Sequence, residues 1–481
     1  MADSPLGNTM HASRLPLQIS ERKTLLILMD GVLVNIATLA ALWLGARRSG
    51  WPFTSEFLLS RSYWFLGLTA LYFILALVND CYSLKIASDA LSSALALFKT
   101  TALMLVVYFF LYFLAEPSTL QTYWPRHIVG FYGLLSIPLL SLWRWLYIVI
   151  FTAPHFRRRA LIVGAGWAGQ TIAQAIHDNL SVNYEIVGFI DDDPRKQGQT
   201  IEGVPVLGNH HKLVALAEEM GISEIVLSIT KDLSGDVFQA IMDCNERGIQ
   251  ITPMPILYEQ ATGRVAVEHV GNNWFVVLPM DGVSAFSPFM LLKRLADVIV
   301  SAFGLALLLV LLPFVALAIY LESPGPIFYS QERVGRAGRP IQLIKLRSMV
   351  PGAEQEGQPK WAEQNDERVT RVGRFLRRTR LDELPQFLNV LRGEMSLIGP
   401  RPERPEFVAE LQKCIPFYRS RLAVRPGLTG WAQINYHYGS SAEDALIKLQ
   451  YDLYYIKRQS LYLDLLILLK TIGVVLSFQG T

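Results

Sequence analysis

The sequence predicts a membrane protein in three parts: four transmembrane helices, a Rossmann-like α/β middle domain, and an α-rich C-terminal domain entered through another long apolar helix. Three observations predict it. Hydrophobic residues make up 51% of the 481 and charged residues only 18%, more apolar than a soluble chain of this size. Four apolar stretches follow one another before residue 154. A strand pattern then runs into Gly164-x-Gly166-x-x-Gly169, the glycine spacing of a turn between strand and helix. The implied parts are 1–153 for the spans, 154–257 for the middle domain, 258–287 for a β-rich connector and 288–481 for the last domain.

The apolar stretches run from Thr24 to Leu44, Tyr63 to Val78, Ala94 to Ala115 and Ile128 to Ala153. Each approaches the roughly 20 residues that cross about 30 Å of hydrocarbon. The first is too long for a signal-peptide core and has no small-residue cleavage site, so it reads as an uncleaved span. Four crossings leave both ends on one side, and Arg157, Arg158 and Arg159 assign that side to the cytoplasm. Arg47, Arg48 and Arg61 then lie outside, against the same rule. Asp30 and Arg144 interrupt the spans, either as packing groups or as part of a substrate path. The net charge of +3 argues against nucleic acid as a partner, and three scattered cysteines form neither a disulfide framework nor a zinc site.

In the middle domain, strands are expected at Ala160–Val163, Ile186–Ile190, Val204–Leu207, Glu224–Ile229 and Gln250–Met254, with helices between. Gly164, Gly166, Gly169 and Asp191 are the candidate nucleotide-binding residues, Asp191 standing a little beyond the usual spacing of about 20 residues. Bound NAD would make the chain a membrane-anchored sugar-nucleotide epimerase or dehydratase. Such enzymes use a Tyr-x-x-x-Lys base, and none lies between His155 and Pro288: Tyr184 is followed four places on by Gly188, Tyr258 by Thr262. The domain therefore reads as a scaffold or sensor. A lipid flippase built on the spans would leave the Arg-rich C-terminal part without a purpose.

Lys293 and Arg294 precede Val298–Leu321, the longest uncharged apolar run. A full crossing there would move everything after it out of the cytoplasm. Pro313 allows another path, because an interior proline kinks a helix, and a helix broken near Leu312-Pro313 over about 291–321 could re-enter the face it left. Both paths remain open on these residues. Leu461–Phe478, interrupted by Asp464 and Lys470, suits a helix lying in the membrane interface.

The chemistry concentrates in Arg377-Arg378-Thr379-Arg380-Leu381-Asp382-Glu383-Leu384-Pro385-Gln386. Proline belongs in a first turn, so Pro385 sets a helix start near Asp382, where free amides favour negative charge. Adjacent carboxylates among arginines can divide phosphoryl transfer between a nucleophile and a metal ligand. An isolated Leu-Asp-Glu-Leu would more simply be a helix cap. Lys345, Arg347, Arg401 and Arg425, most of them in loops stiffened by Pro and Gly, supply the cations that phosphates need.

Together these motifs resemble the bacterial sugar-transferase family of polyprenyl-phosphate sugar-1-phosphate transferases. The resemblance covers about Phe289–Thr481: Lys293-Arg294, Ser323-Pro324-Gly325-Pro326, Lys345–Met349, Leu381–Gln386, Pro400-Arg401-Pro402-Glu403 and Gly430-Trp431-Ala432-Gln433. It implies a re-entrant helix and a monotopic catalytic domain in the bacterial inner membrane. It also implies transfer of hexose 1-phosphate, with galactose favoured, from a UDP-sugar to undecaprenyl phosphate, initiating O-antigen or capsule assembly. By the same resemblance Asp382 is the nucleophile, Glu383 binds Mg²⁺, and Lys345, Arg377, Arg401, Arg425 and Asp452 line the site of a homodimer. The family strand usually has Phe where Leu346 stands, a change expected to alter packing only.

Overall fold

The computed structural model describes residues 19–476, apart from 61, 115–125, 154–155, 230–233, 268–287, 354–367 and 437–440. The chain divides into two units, 1–254 and 255–481.

In the first unit, α1 (Ile19–Ser49), α2 (Ser62–Val78), α3 (Ala90–Leu114) and α4 (Arg126–Phe151) form a bundle. Its core collects Leu26, Val34, Ala41, Tyr72, Leu97, Leu140 and Tyr147, while Leu28, Val32, Leu66 and Trp145 stay exposed, as lipid-facing residues would. Stretches of α1, α3 and α4 and the later helix Pro288–Glu322 are long and apolar enough to cross a membrane; Ser62–Val78 is shorter. Asp30 and Arg144 pair at 2.6 Å in the bundle core, and the Tyr72 hydroxyl donates to the same carboxylate oxygen at 3.1 Å. Buried charges persist when paired in this way.

Five parallel strands follow: β1 (Arg158–Val163), β2 (Tyr184–Ile190), β4 (Val204–Gly208), β5 (Glu224–Leu227) and β6 (Gln250–Pro253), with the short β3 (Thr200–Ile201) antiparallel on β4. Their order, β3-β4-β2-β1-β5-β6, is Rossmann-like, and α5 (Trp167–Leu180), α6 (Leu213–Glu219) and α7 (Gly235–Glu246) supply the crossovers. Near-continuous apolar residues in β1 are what a strand covered on both faces requires.

The second unit opens with α8 (Met254–Thr262), so the connector expected to be β-rich begins as a helix. Its buried Glu259 holds Lys457 at 2.6 Å, and Trp431 donates its indole N–H to the Gly263 carbonyl at 3.0 Å. Glu259 and Gly263 thus pack into this unit, where the buried carboxylate finds the cations it needs. Residues 263–267 continue without a strand, and 268–287 of the expected connector lie outside the described residues.

α9 (Pro288–Glu322) runs 35 residues without interruption, so the break expected at Pro313 is absent. One proline removes one hydrogen bond from a helix with dozens, and the apolar sequence on both sides sustains it. A hairpin of β7 (Phe328–Val334) and β8 (Pro340–Leu346) follows, then α10 (Arg371–Arg378), α11 (Phe387–Arg392), β9 (Ser396–Ile398), α12 (Pro405–Cys414), β10 (Gly427–Thr429), α13 (Ala442–Lys457) and α14 (Leu461–Leu476). Leu346 packs with Leu308, Ile319 and Leu376, a purely apolar role.

Candidate active site

Asp382 and Glu383 lie in a 3-10 turn, Leu381–Gln386, that leads into α11. The helix therefore starts where Pro385 predicts, in a tighter form. Arg380, at φ +59°, turns the chain out of α10 and toward this segment.

Glu383 is buried and surrounded by cations. Its Oε1 accepts from Lys345 Nζ at 3.0 Å and Arg401 Nη2 at 2.9 Å, and Arg380 Nη1 stands 3.6 Å from Oε2. Burial resists ionisation of this carboxyl, but the charges of Lys345, Arg401 and Arg380 outweigh it and hold it well below the usual range. Asp382, one residue earlier, pairs with none of the described residues. Burial and then the negative charge of Glu383 push its carboxyl up to about 6, against the pull of Lys345, Arg377 and Arg380. Two neighbouring carboxyls are thus driven in opposite directions, the mark of a division of roles.

The other predicted residues separate. Lys345 and Arg401 reach Glu383 directly; Arg377 donates to Ser348 Oγ at 2.9 Å and acts on Asp382 through its charge. Arg347 does not join them. It is buried and gives its guanidinium to the carbonyls of Ser323 and Pro324, tying down the chain that leaves α9. Arg425 stands among Arg294 and Arg336, where burial and their like charges lower its pKa. Asp452 sits one layer back, 2.9 Å from Arg421, which also donates to the Arg401 carbonyl at 3.0 Å and to the Tyr418 hydroxyl at 2.6 Å. Burial pushes Asp452 up to about 6 in spite of that arginine. Arg380 and Arg421 were missed by motif reading; Arg380 was legible as the cation nearest the acidic pair, whereas Arg421 lies in no recognisable pattern.

Lys293 and Arg294 fasten the start of α9. Lys293 Nζ meets Asp464 at 2.8 Å, Tyr455 OH at 3.0 Å and the Ile398 carbonyl at 3.1 Å. Arg294 caps the end of α11 through the carbonyls of Val390 and Leu391, at 2.7 and 2.8 Å. Asp297, buried on the same helix, accepts from the Leu397 amide at 2.9 Å.

In the first unit, Gly164 takes φ +104°, and a Cβ on Gly169 would stand 2.0 Å from the Gly164 carbonyl oxygen, so glycine is required at both. Gly166 caps α5. Asp191 does not point away from this turn: its Oδ2 accepts from the Ala165 amide at 2.7 Å and from Lys196 at 2.9 Å.

As to a metal, no cluster of three or more His, Cys, Asp or Glu occurs among the described residues. Mg²⁺ needs fewer, since one or two carboxylates plus substrate phosphates suffice. The adjacent carboxylates of Asp382 and Glu383 fit that demand, with Glu383 Oε2 the less engaged oxygen.

The bacterial sugar transferase family model matches residues 289–478, and a CoA-binding domain model matches 77–255. Among curated relatives, UDP-N-acetylgalactosamine-undecaprenyl-phosphate N-acetylgalactosaminephosphotransferase of Aeromonas hydrophila is 42% identical over 52% of this chain and 57% of its own length. UDP-glucose:undecaprenyl-phosphate glucose-1-phosphate transferase of Xanthomonas campestris pv. campestris is 32% identical over 65% and 66%. UDP-galactose-lipid carrier transferase of Erwinia amylovora is 30% identical over 68% and 69%. The chain thus spans less than two thirds of the Aeromonas and Xanthomonas relatives.

Proposed function

Because this chain belongs to the bacterial sugar transferase family, we propose that it transfers a hexose 1-phosphate from a UDP-sugar to undecaprenyl phosphate and releases UMP. The observation that carries this reading is the unlike state of Asp382 and Glu383. Asp382 is buried, without an ion pair among the described residues, and ionised above about pH 6. An Asp382 carboxylate oxygen attacks the β-phosphorus of the UDP-hexose, the bond to the bridging oxygen breaks, and UMP leaves with that oxygen. An oxygen of undecaprenyl phosphate then attacks the same phosphorus and frees the carboxylate. Lys345, Arg380 and Arg401 fix Glu383 and neutralise the phosphates that crowd the site. Mg²⁺, held by Glu383, would add charge neutralisation on the diphosphate.

The lipid acceptor requires a site at the membrane surface, and α9 supports one. At 1.5 Å per residue its 35 residues extend about 50 Å. Its second turn is held through Lys293 and Arg294, and at its last residue Glu322 accepts the amides of Arg371 and Val372 at 2.8 Å. One unit grips both ends, which a helix crossing the bilayer from face to face would not allow. We therefore read α9 as re-entrant, its continuous helix bending at Pro313 to return to the face it left, and the catalytic unit as cytoplasmic on the inner membrane. The assembly we propose is a homodimer.

The relatives named above act on N-acetylgalactosamine, glucose and galactose derivatives, and galactose is the first sugar we propose. Purified protein incubated with undecaprenyl phosphate, Mg²⁺ and a panel of UDP-sugars should release UMP with one of them. No UMP from any sugar, or full turnover by Asp382→Ala, would sink the proposal.

A further inference from the structure

α10 is fixed on its inner side and unusual on its outer one. Inside, Gly373 and Leu376 are buried, and a Cβ on Gly373 would stand 1.9 Å from the Ser348 carbonyl oxygen. Outside, Arg371, Arg374, Phe375 and Arg378 are all exposed at spacing i, i+3, i+4, i+7, a single arc of the helix. Phe375 keeps 59% of its surface in the open. The site does not explain these four: Arg377, on the flank, is the residue of α10 whose charge reaches Asp382. The arc also continues an apolar surface. Glu322, which caps α10, ends α9, and the last turns of α9 leave Leu317, Tyr320 and Leu321 exposed.

We propose that this face of α10 docks on anionic phospholipid headgroups, its three arginines engaging the phosphates and Phe375 entering the acyl boundary. The inference rests on reading the C-terminal unit as membrane-bound, and it adds the lipid class that the surface selects. Guanidinium groups match phosphate oxygens two at a time, and an aromatic ring beside them suits a surface that is charged outside and apolar beneath. The docked helix sets the height of the following turn, so that Asp382 meets the phosphate of a lipid acceptor at headgroup level.

The test labels position 375. Full-length protein carrying Cys414→Ser and Phe375→Cys takes an environment-sensitive fluorophore there, because Cys81 and Cys244 are buried. It is reconstituted in phosphatidylcholine nanodiscs with or without phosphatidylglycerol, with a doxyl quencher high in the acyl chains. Quenching should be strong with phosphatidylglycerol, weaker without it, and lost in Arg371→Gln/Arg374→Gln/Arg378→Gln. Each arginine should change the docked-to-free ratio about fivefold. A triple lysine variant should retain quenching, which separates lost charge from lost folding. A label that stays aqueous in both discs, as it would on a face reserved for an acidic protein, or one quenched equally in both, overturns the proposal. The measurement needs no turnover: quenching without UMP release would count against the reaction alone, and UMP release with an aqueous label against this surface alone.

Discussion

Gly304 of α9 and Phe387 of α11 meet with no room for a side chain between them: a Cβ on Gly304 would stand 2.4 Å from the phenylalanine ring. The apolar helix is thereby pressed against the helix that carries the acidic pair at its start. Gly304→Ala should cost about 1–3 kcal/mol by overpacking and lower turnover by shifting α11. Phe387→Leu in the same chain should recover part of both losses. Thermal unfolding and UMP release of the single and double variants measure this; no recovery would mean that the contact is not what couples the two helices.

The Asp382 carboxyl is pushed up to about 6, so its native pKa exceeds that of the unfolded chain. The stability it contributes is full below about pH 4 and is lost as pH rises through about 6. Asp382→Asn should abolish transfer and make the protein more stable at neutral pH, on the order of 2 kcal/mol, because it removes a buried charge beside a like charge. Melting curves at pH 5 and pH 8 test the sign, with the gap over the native protein opening at the higher pH.

A nucleophile that must be ionised predicts a rising limb of kcat/KM near pH 6. In Glu383→Gln the neighbouring negative charge disappears, and Lys345 and Arg401 lose the carboxylate they hold. Both changes favour ionised Asp382, so the limb should move to lower pH while turnover falls on the order of 100-fold. A limb that stays in place would show that Asp382 does not set it.

Arg421 lies between Asp452 and the Arg401 carbonyl, with Glu403 3.8 Å away. Arg421→Met strands the buried Asp452 and takes one of two nearby arginines from half-buried Glu403, and should cost about 3–5 kcal/mol. Adding Asp452→Asn should return part of it, since that carboxyl is already costly to ionise. Denaturant unfolding of the four proteins in the cycle gives the coupling.

Much of this was legible beforehand because it depends on local pattern. The strands of the middle sheet fell within a few residues of their expected bounds, since β-branched runs between helical stretches have one plausible use, and Lys345, Asp382, Glu383 and Arg401 converge as their motifs implied. What escaped was decided by distant partners. Whether Arg347 turns to a phosphate or to the carbonyls of Ser323 and Pro324 depends on where the end of α9 lies, which no neighbouring residue records. Arg421 was invisible for the same reason, and α8 because Glu259 finds Lys457 nearly two hundred positions away. Proline at 313 misled in the other direction: a single unfavourable residue did not outweigh its long apolar context.

Asp191 leaves the glycine turn of the middle sheet with a tenant of its own. The amide of Ala165, which would otherwise greet an incoming dinucleotide, is already occupied by an oxygen that the polypeptide carries with it and cannot lose by dilution. A free anion at that amide would have to displace a carboxylate that the fold itself holds there. The turn is in this sense a lock delivered with its key inside.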